Sequence, residues 1–305
     1  MRLHPGDEKF FMNLGFAYIK RGELAKGLGL QKPCINYNLE YIWDGSGLSG
    51  KTILLRDEDG IGDVFFWLRY AYLFKKQGAR VILETRGFLV PLLSQCPYID
   101  KLVAKGHTLP VFDFQVYIGG SFRVLRTTLE SIPADIPYMY AHKTLARKWQ
   151  ERLSDDKKFK IGICWDPQPC RLRITKKIVK CPRAIPLYYL YPLSKLEHVS
   201  LYSLQHINGL EQLKVIPKDF KIHTFDEDFD QKYGRFMDTA AVMQNLDLII
   251  TADTSVAHLA GALGKPVWVL LPFVTDWRWF IDRTDSPWYP TMKLFRNRER
   301  ESSVF

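Results

Sequence analysis

Residues 247–271 read DLIITADTSVAHLAGALGKPVWVLL, and the order of their parts decides the fold. An apolar strand over 247–251 runs into Asp253-Thr254-Ser255, which open a helix filled with small residues (Ala257, Ala260, Gly261, Ala262). Gly264-Lys265-Pro266 end that helix, and a second apolar strand follows over 267–271. A strand, a polar turn and a helix N-terminus make a site for an anion, because the first N–H groups of a helix are unpaired and its dipole favours negative charge. The hydroxyls of Thr254 and Ser255 and the N–H groups at 255–257, including Val256, are candidate donors, and Asp253 is suited to a ribose or sugar hydroxyl. An ordinary βαβ unit with Asp or Thr as its N-cap has the same spacing. His258, four residues after Thr254, lies on the same helical face one turn in and favours the anion-binding reading.

Outward from this stretch the chain alternates strands and helices, the pattern of a parallel sheet. Strands are expected at 160–165, 200–204 and 221–224, and helices at 186–196 and 235–245, giving a second domain over 159–305. A first domain over 51–142 opens with a strand at 52–55 and a helix at 64–76, then strands at 80–84, 101–103 and 115–118. A basic helix within 143–158 links the two. Residues 1–33 read as a helix pair whose Leu14-Gly15, Tyr18, Gly22 and Ala25 follow the spacing of a tetratricopeptide repeat. Residues 34–50 form a connector. The expected fold class is α/β: two Rossmann-like doubly wound domains behind a helical hairpin, with a cleft between the carboxyl ends of both sheets.

With 305 residues the chain is long enough for two domains of about 100–200 residues each. Its apolar runs are strand-sized, well short of the ~20 residues that span a bilayer, and its start lacks a signal-peptide core. Five scattered cysteines without CxxC spacing suit a reducing compartment, with no disulfide framework and no structural zinc. A cytoplasmic location is expected. The net charge of +10 is unevenly spread: Arg171, Arg173, Lys176, Lys177, Lys180 and Arg183 form a run free of acids, which suits nucleic acid, an acidic membrane surface or a phosphorylated substrate, or equally a solvated loop. No nucleic-acid-binding motif accompanies it, so nucleic acid is not an expected partner.

Five stretches, one of them within the segment quoted above, carry a resemblance: GIGDVFF at 60–66, Cys164-Trp165-Asp166-Pro167, Arg183-Ala184-Ile185-Pro186-Leu187, DTSVAHLAGALGKPVW at 253–268 and DWRWFIDRTDSPWYP at 276–290. Together they make the chain similar to the ADP-heptose–lipopolysaccharide heptosyltransferase family of glycosyltransferases. More closely, it resembles the bacterial proteins that fuse tetratricopeptide repeats to such a domain. The resemblance implies a GT-B fold, a nucleotide-diphosphate sugar as donor, and an inverting transfer that uses neither a metal nor a further cofactor. It also implies that Asp63, the aspartate of the Gly-Asp pair, is the catalytic base. Helix capping is the alternative role for the same position.

An inverting transfer needs a base beside the acceptor hydroxyl and cations or N–H groups for the departing diphosphate. Donor binding is expected from Asp253, Thr254, Ser255, Val256, His258 and, from the basic run, Arg183. Trp165, Gly60 and Gly62 are candidates for contact with base or sugar, Trp165 being equally a packing residue. Trp277, Trp279 and Trp288 are expected to be structural. Asp57-Glu58-Asp59 and Asp226-Glu227-Asp228 read as solvated turns. The expected partners are a nucleotide sugar, a glycan, lipid-linked or protein acceptor, and a protein bound through the helical hairpin. An interaction protein whose transferase-like domain binds without turnover is the rival reading.

Overall fold

The computed structural model describes residues 8–24, 26–27, 41–58, 60–168, 170–171, 178–179 and 181–298. Four strands, β1 (Thr52–Arg56), β2 (Arg80–Thr85), β3 (Lys101–Ala104) and β4 (Phe114–Tyr117), form a parallel sheet in the order β3-β2-β1-β4. The second sheet contains β5 (Phe159–Cys164) and, after a two-residue antiparallel pair of β6 (Cys170–Arg171) and β7 (Ile178–Val179), the strands β8 (Val199–Ser203), β9 (Leu248–Ala252), β10 (Val267–Leu271) and β11 (Met292–Arg296). Its order is β11-β10-β9-β5-β8, again parallel throughout. Strands covered on both faces read as continuous apolar runs, which is why LIITA of β9 is buried at all five positions.

In both sheets the chain reverses direction beside the first strand. β1 has β2 on one side and β4 on the other; β5 has β8 on one side and β9 on the other. Each reversal parts the loops at the carboxyl ends of the strands and leaves a crevice there. A single apolar cluster runs from one domain into the other, through Ile53, Leu55 and Phe65 on the first side and Ala257, Trp279 and Leu294 on the second. A separate cluster, including Ile161, Ile163, Trp165 and Leu201, fills the far face of the second sheet.

The Glu8–Lys20 helix lies against this body: Phe16 stacks on Trp277 with ring centroids 5.9 Å apart, and Ile19 and Leu24 are buried. Most of the second helix of the expected pair falls outside the described residues. The basic helix at Lys143–Arg152 packs on the Met237–Gln244 helix of the second domain. Among the described residues, no helix is long and apolar enough to cross a membrane.

Several expectations need correction. The helix expected at 64–76 begins earlier, at Ile61, and pauses at Leu68 between Ile61–Trp67 and Arg69–Lys76. Residues 187–195 are a 3-10 helix with Pro192, which has no N–H to donate, inside it. The segment at 221–224 makes only one bridge, His223 to Tyr202, before Phe225 turns into an aromatic cluster with Trp149 and Phe229. The unanticipated β11 alternates buried Met292 and Leu294 with exposed neighbours, a period of two that marks an edge strand. Asp57 is not solvated. It is 2% exposed and bonded to Thr85 Oγ1 at 2.7 Å and Lys105 Nζ at 2.7 Å, with Arg86 at 3.2 Å, so cations and a hydroxyl offset its burial.

Candidate functional site

A cavity of 480 Å³ lies between the two domains, walled by the residues that follow β1, β5, β8, β9 and β10. From the first domain it takes Gly60, Ile61, Gly62 and Asp63; from the second, Cys164, Asp166, Arg183, Gln205, Asp253 to Val256, His258, Asp276 and Arg278. The Ile61–Trp67 and Ser255–Ala262 helices therefore bring their N-termini to the same space, and they pack against each other.

Glycine at 62 permits that contact. A Cβ there would stand 3.0 Å from His258 Cδ2 and 3.4 Å from Ser255 Cα. Glycine at 60 serves Asp63, whose carboxylate folds back so that Oδ2 accepts the Gly60 N–H at 2.8 Å; a Cβ on residue 60 would sit 2.9 Å from that oxygen. Asp63 Oδ1 accepts from the Arg278 guanidinium of the second domain. Asp63 thus occupies the helix-capping position considered for it and faces the cavity at the same time.

Thr254 is the N-cap of its helix: extended backbone places its Oγ1 3.1 Å from the Val256 N–H, and the Ala257 N–H bonds the Thr254 carbonyl at 3.1 Å. Two of the three N–H groups expected to meet an anion are therefore engaged locally, while the positive end of the helix still opens on the cavity. Asp253 is 4% exposed and pairs with Arg183 at 3.4 Å. Burial pushes its carboxyl above the ordinary aspartate range, and the Arg183 charge works against that shift. His258, 6% exposed, meets the Tyr289 hydroxyl through Nδ1 at 3.1 Å and stacks on Trp279 at 5.3 Å. Burial, reinforced by Arg278, Arg69 and Arg183, holds the imidazole well below 6.5, so the ring is neutral at pH 7.

Trp165 does not join the site. It is fully buried, with its indole N–H on the Gly209 carbonyl at 3.2 Å. Residues 161, 163 and 165 share one face of the sheet and point into the far cluster, whereas Cys164 points to the cavity.

Protein-family models offer no match to this chain. Protein FlbA of Caulobacter vibrioides is 21% identical over 279 residues, which are 83% of this chain and 44% of that protein. The chain spans less than half of this relative. Among solved structures, ADP-heptose LPS heptosyltransferase II of E. coli superposes with a TM-score of 0.57 at 12% identity, over 82% of this chain and 92% of that one. A glycosyl transferase family 9 protein from Veillonella parvula gives 0.59 at 12% identity, over 84% and 88%. The fold is heptosyltransferase-like.

Within this heptosyltransferase-like frame, several cavity residues carry no sequence signal of their own. Gln205 Oε1 accepts the N–H groups of Trp165 and Asp166, each at 2.9 Å, and so shapes the turn after β5. Asp230, buried, accepts the Thr239 N–H at 2.9 Å and also its hydroxyl, and burial raises its pKa. Asp276 accepts from Arg278 Nη1 at 2.9 Å. Asp276 and Arg278 fall inside a stretch quoted for its resemblance, but the Asp63–Arg278 pair spans 215 residues of chain and no spacing rule reaches that far. Among the described residues, no group of three or more His, Cys, Asp or Glu is placed to hold a metal ion.

Proposed function

We propose that this domain transfers a sugar from a nucleoside-diphosphate sugar to an acceptor hydroxyl, with inversion at the sugar carbon. One observation carries the reading: a carboxylate of the first domain, Asp63, faces a helix N-terminus and an arginine of the second across one cavity. In the proposed step the acceptor oxygen forms a bond to the anomeric carbon and gives its proton to Asp63. The bond from that carbon to the phosphate oxygen breaks, and its electron pair leaves with the nucleoside diphosphate. The Ser255–Ala262 helix terminus, Ser255 and Arg183 receive that charge. Asp253 orients a hydroxyl of the donor, and neutral His258 donates or accepts a hydrogen bond without adding charge.

The heptosyltransferase-like fold and the use of ADP-heptose in the name of the E. coli neighbour make nucleoside-diphosphate sugars the first donors to test. Calorimetric titration with ADP, UDP and GDP, free and as sugar conjugates, should show one nucleotide binding, with loss of binding in the double variant Asp253→Ala/His258→Ala. No binding of any of them by folded protein sinks the reading. Because a helix terminus and an arginine already oppose the leaving charge, release of nucleoside diphosphate should persist in excess chelator. Its abolition by chelator, with recovery on adding a divalent cation, would overturn the metal-independent form of the proposal.

One observation favours the rival reading, a ligand-binding domain that does not turn over: both carboxylate oxygens of Asp63 already have partners. Nucleotide binding by the wild type, with no release of nucleoside diphosphate from any of the three classes of donor, would select it.

A further inference from the structure

Arg278, which lines the cavity, is held from several sides. Its backbone N–H donates to Asp276 Oδ1 at 3.0 Å, and its carbonyl accepts the Trp288 indole N–H at 3.0 Å. Its guanidinium lies over the rings of Trp277 and Phe66, at 4.5 and 4.9 Å from their centroids. Asp276 takes Nη1 at 2.9 Å, which leaves Nη2 for Asp63 Oδ1. Burial works against this charge, but Asp276 and Asp63 outweigh it and keep the group ionised. Arg183, by contrast, is more than a third exposed.

The support beneath Arg278 reaches the N-terminal helix. Trp277 stacks on Trp67 and Phe122, both at 5.9 Å, and on Phe16 of the Glu8–Lys20 helix, also at 5.9 Å. A guanidinium held by aromatic faces and a second carboxylate has one geometry to offer Asp63. The Gly60 N–H on Oδ2 and Arg278 on Oδ1 together fix the plane of that carboxylate, and each oxygen keeps a further lone pair.

From this geometry we infer that Arg278 is the positioning residue of the site, aligning the Asp63 carboxylate with the anion pocket of the other domain. The N-terminal helix is part of that alignment through Phe16. The inference rests on the transfer reading above and adds a role to the stretch at 276–279 and to a helix outside both sheets.

The test compares wild type with Arg278→Met, Arg278→Lys and Phe16→Ala. ADP, UDP and GDP binding is measured by calorimetry, and turnover by nucleoside-diphosphate release from the cognate sugar nucleotide. A misplaced reacting group costs about 10–100-fold in rate, so Arg278→Met should lower kcat by that much. The donor KM and the nucleotide affinity should stay within about twofold of wild type, because the anion pocket is intact. Arg278→Lys should restore part of kcat, and Phe16→Ala should lower kcat in the same direction by a smaller factor. Should Arg278→Met not fold, Asp276→Asn loosens the same guanidinium and is held to the same expectation.

Wild-type turnover in Arg278→Met overturns the role alone. A loss of nucleotide affinity equal to the loss of kcat/KM also overturns it, since Arg278 would then be a ligand-binding group. Failure of the wild type to bind any nucleotide, or to turn over what it binds, overturns the transfer reading and this role with it.

Discussion

His258 is an imidazole enclosed by Trp279, Phe66 and the Tyr289 hydroxyl, and its environment has a consequence for stability. The folded ring stays neutral well below 6.5, whereas in the unfolded chain it protonates near 6.5. Below that pH the unfolded state binds more protons than the folded one, so stability falls as pH falls, by up to about 1.4 kcal/mol per pH unit. Above 6.5 this contribution is fully present. Melting temperatures taken from pH 7.5 to 5 should therefore drop more steeply for wild type than for His258→Asn, even though the variant starts lower. Parallel curves would show that the ring is not held neutral. That His258 shares a cavity with Thr254 was legible from their four-residue offset; its neutrality was not, because it follows first from tertiary burial and then from cations 20 or more positions away in sequence.

Among the elements, the Ser255–Ala262 helix shows what local chemistry specifies. Thr254 caps it through Oγ1, so Thr254→Ala should cost about 1 kcal/mol in urea denaturation while Thr254→Ser costs much less. Equal losses for both variants would mean that the methyl group, rather than the hydroxyl, carries the effect. The cap, the small residues and both flanking strands were readable because each is a short-range signal. The same holds for the Gly60-Ile61-Gly62-Asp63 turn after β1.

Strand parity was the first limit. An aromatic at a strand's end reads as a site residue until the register shows that 161, 163 and 165 share the face turned away from the cavity. Tertiary competition was the second. Residues 221–224 have strand-forming composition, yet they make a single bridge, and the chain then carries Phe225 onto the rings of Trp149 and Phe229. In β11, the alternation of Met292 and Leu294 with exposed neighbours was present but sat directly after a motif that drew attention to its tryptophans.

At the scale of the whole molecule, the two sheets are joined by buried polar links as well as by apolar packing. Arg69, 1% exposed, donates to the carbonyls of Phe66 at 2.8 Å, Trp288 at 2.6 Å and Pro133 at 3.2 Å, and to the Tyr138 hydroxyl at 3.1 Å. Tyr138 reaches Tyr289, and Tyr289 reaches His258, so one chain of hydrogen bonds runs from beneath the first sheet to the wall of the cavity. Arg69→Met fills similar space but strands several buried acceptors, each worth about 1–3 kcal/mol when left unpaired. It should lower stability by about 3 kcal/mol or more, and it should do so in a single transition seen alike by far-UV circular dichroism and by tryptophan fluorescence. Two separated transitions would show that the domains unfold independently.

The apolar cluster shared by the two domains also bears on how a ligand gets in. Swinging the halves apart would expose Phe65, Ala257 and Trp279 to water and break the backbone bonds from Tyr138 and Met139 to the Ala262 carbonyl. A pair of jaws fused at the hinge does not gape; it admits its load past the lips. Loading then proceeds without parting the halves, and the envelope of the molecule is expected to stay constant. Small-angle scattering should return the same radius of gyration with and without saturating nucleotide, and a contraction on binding would show that the joint yields after all.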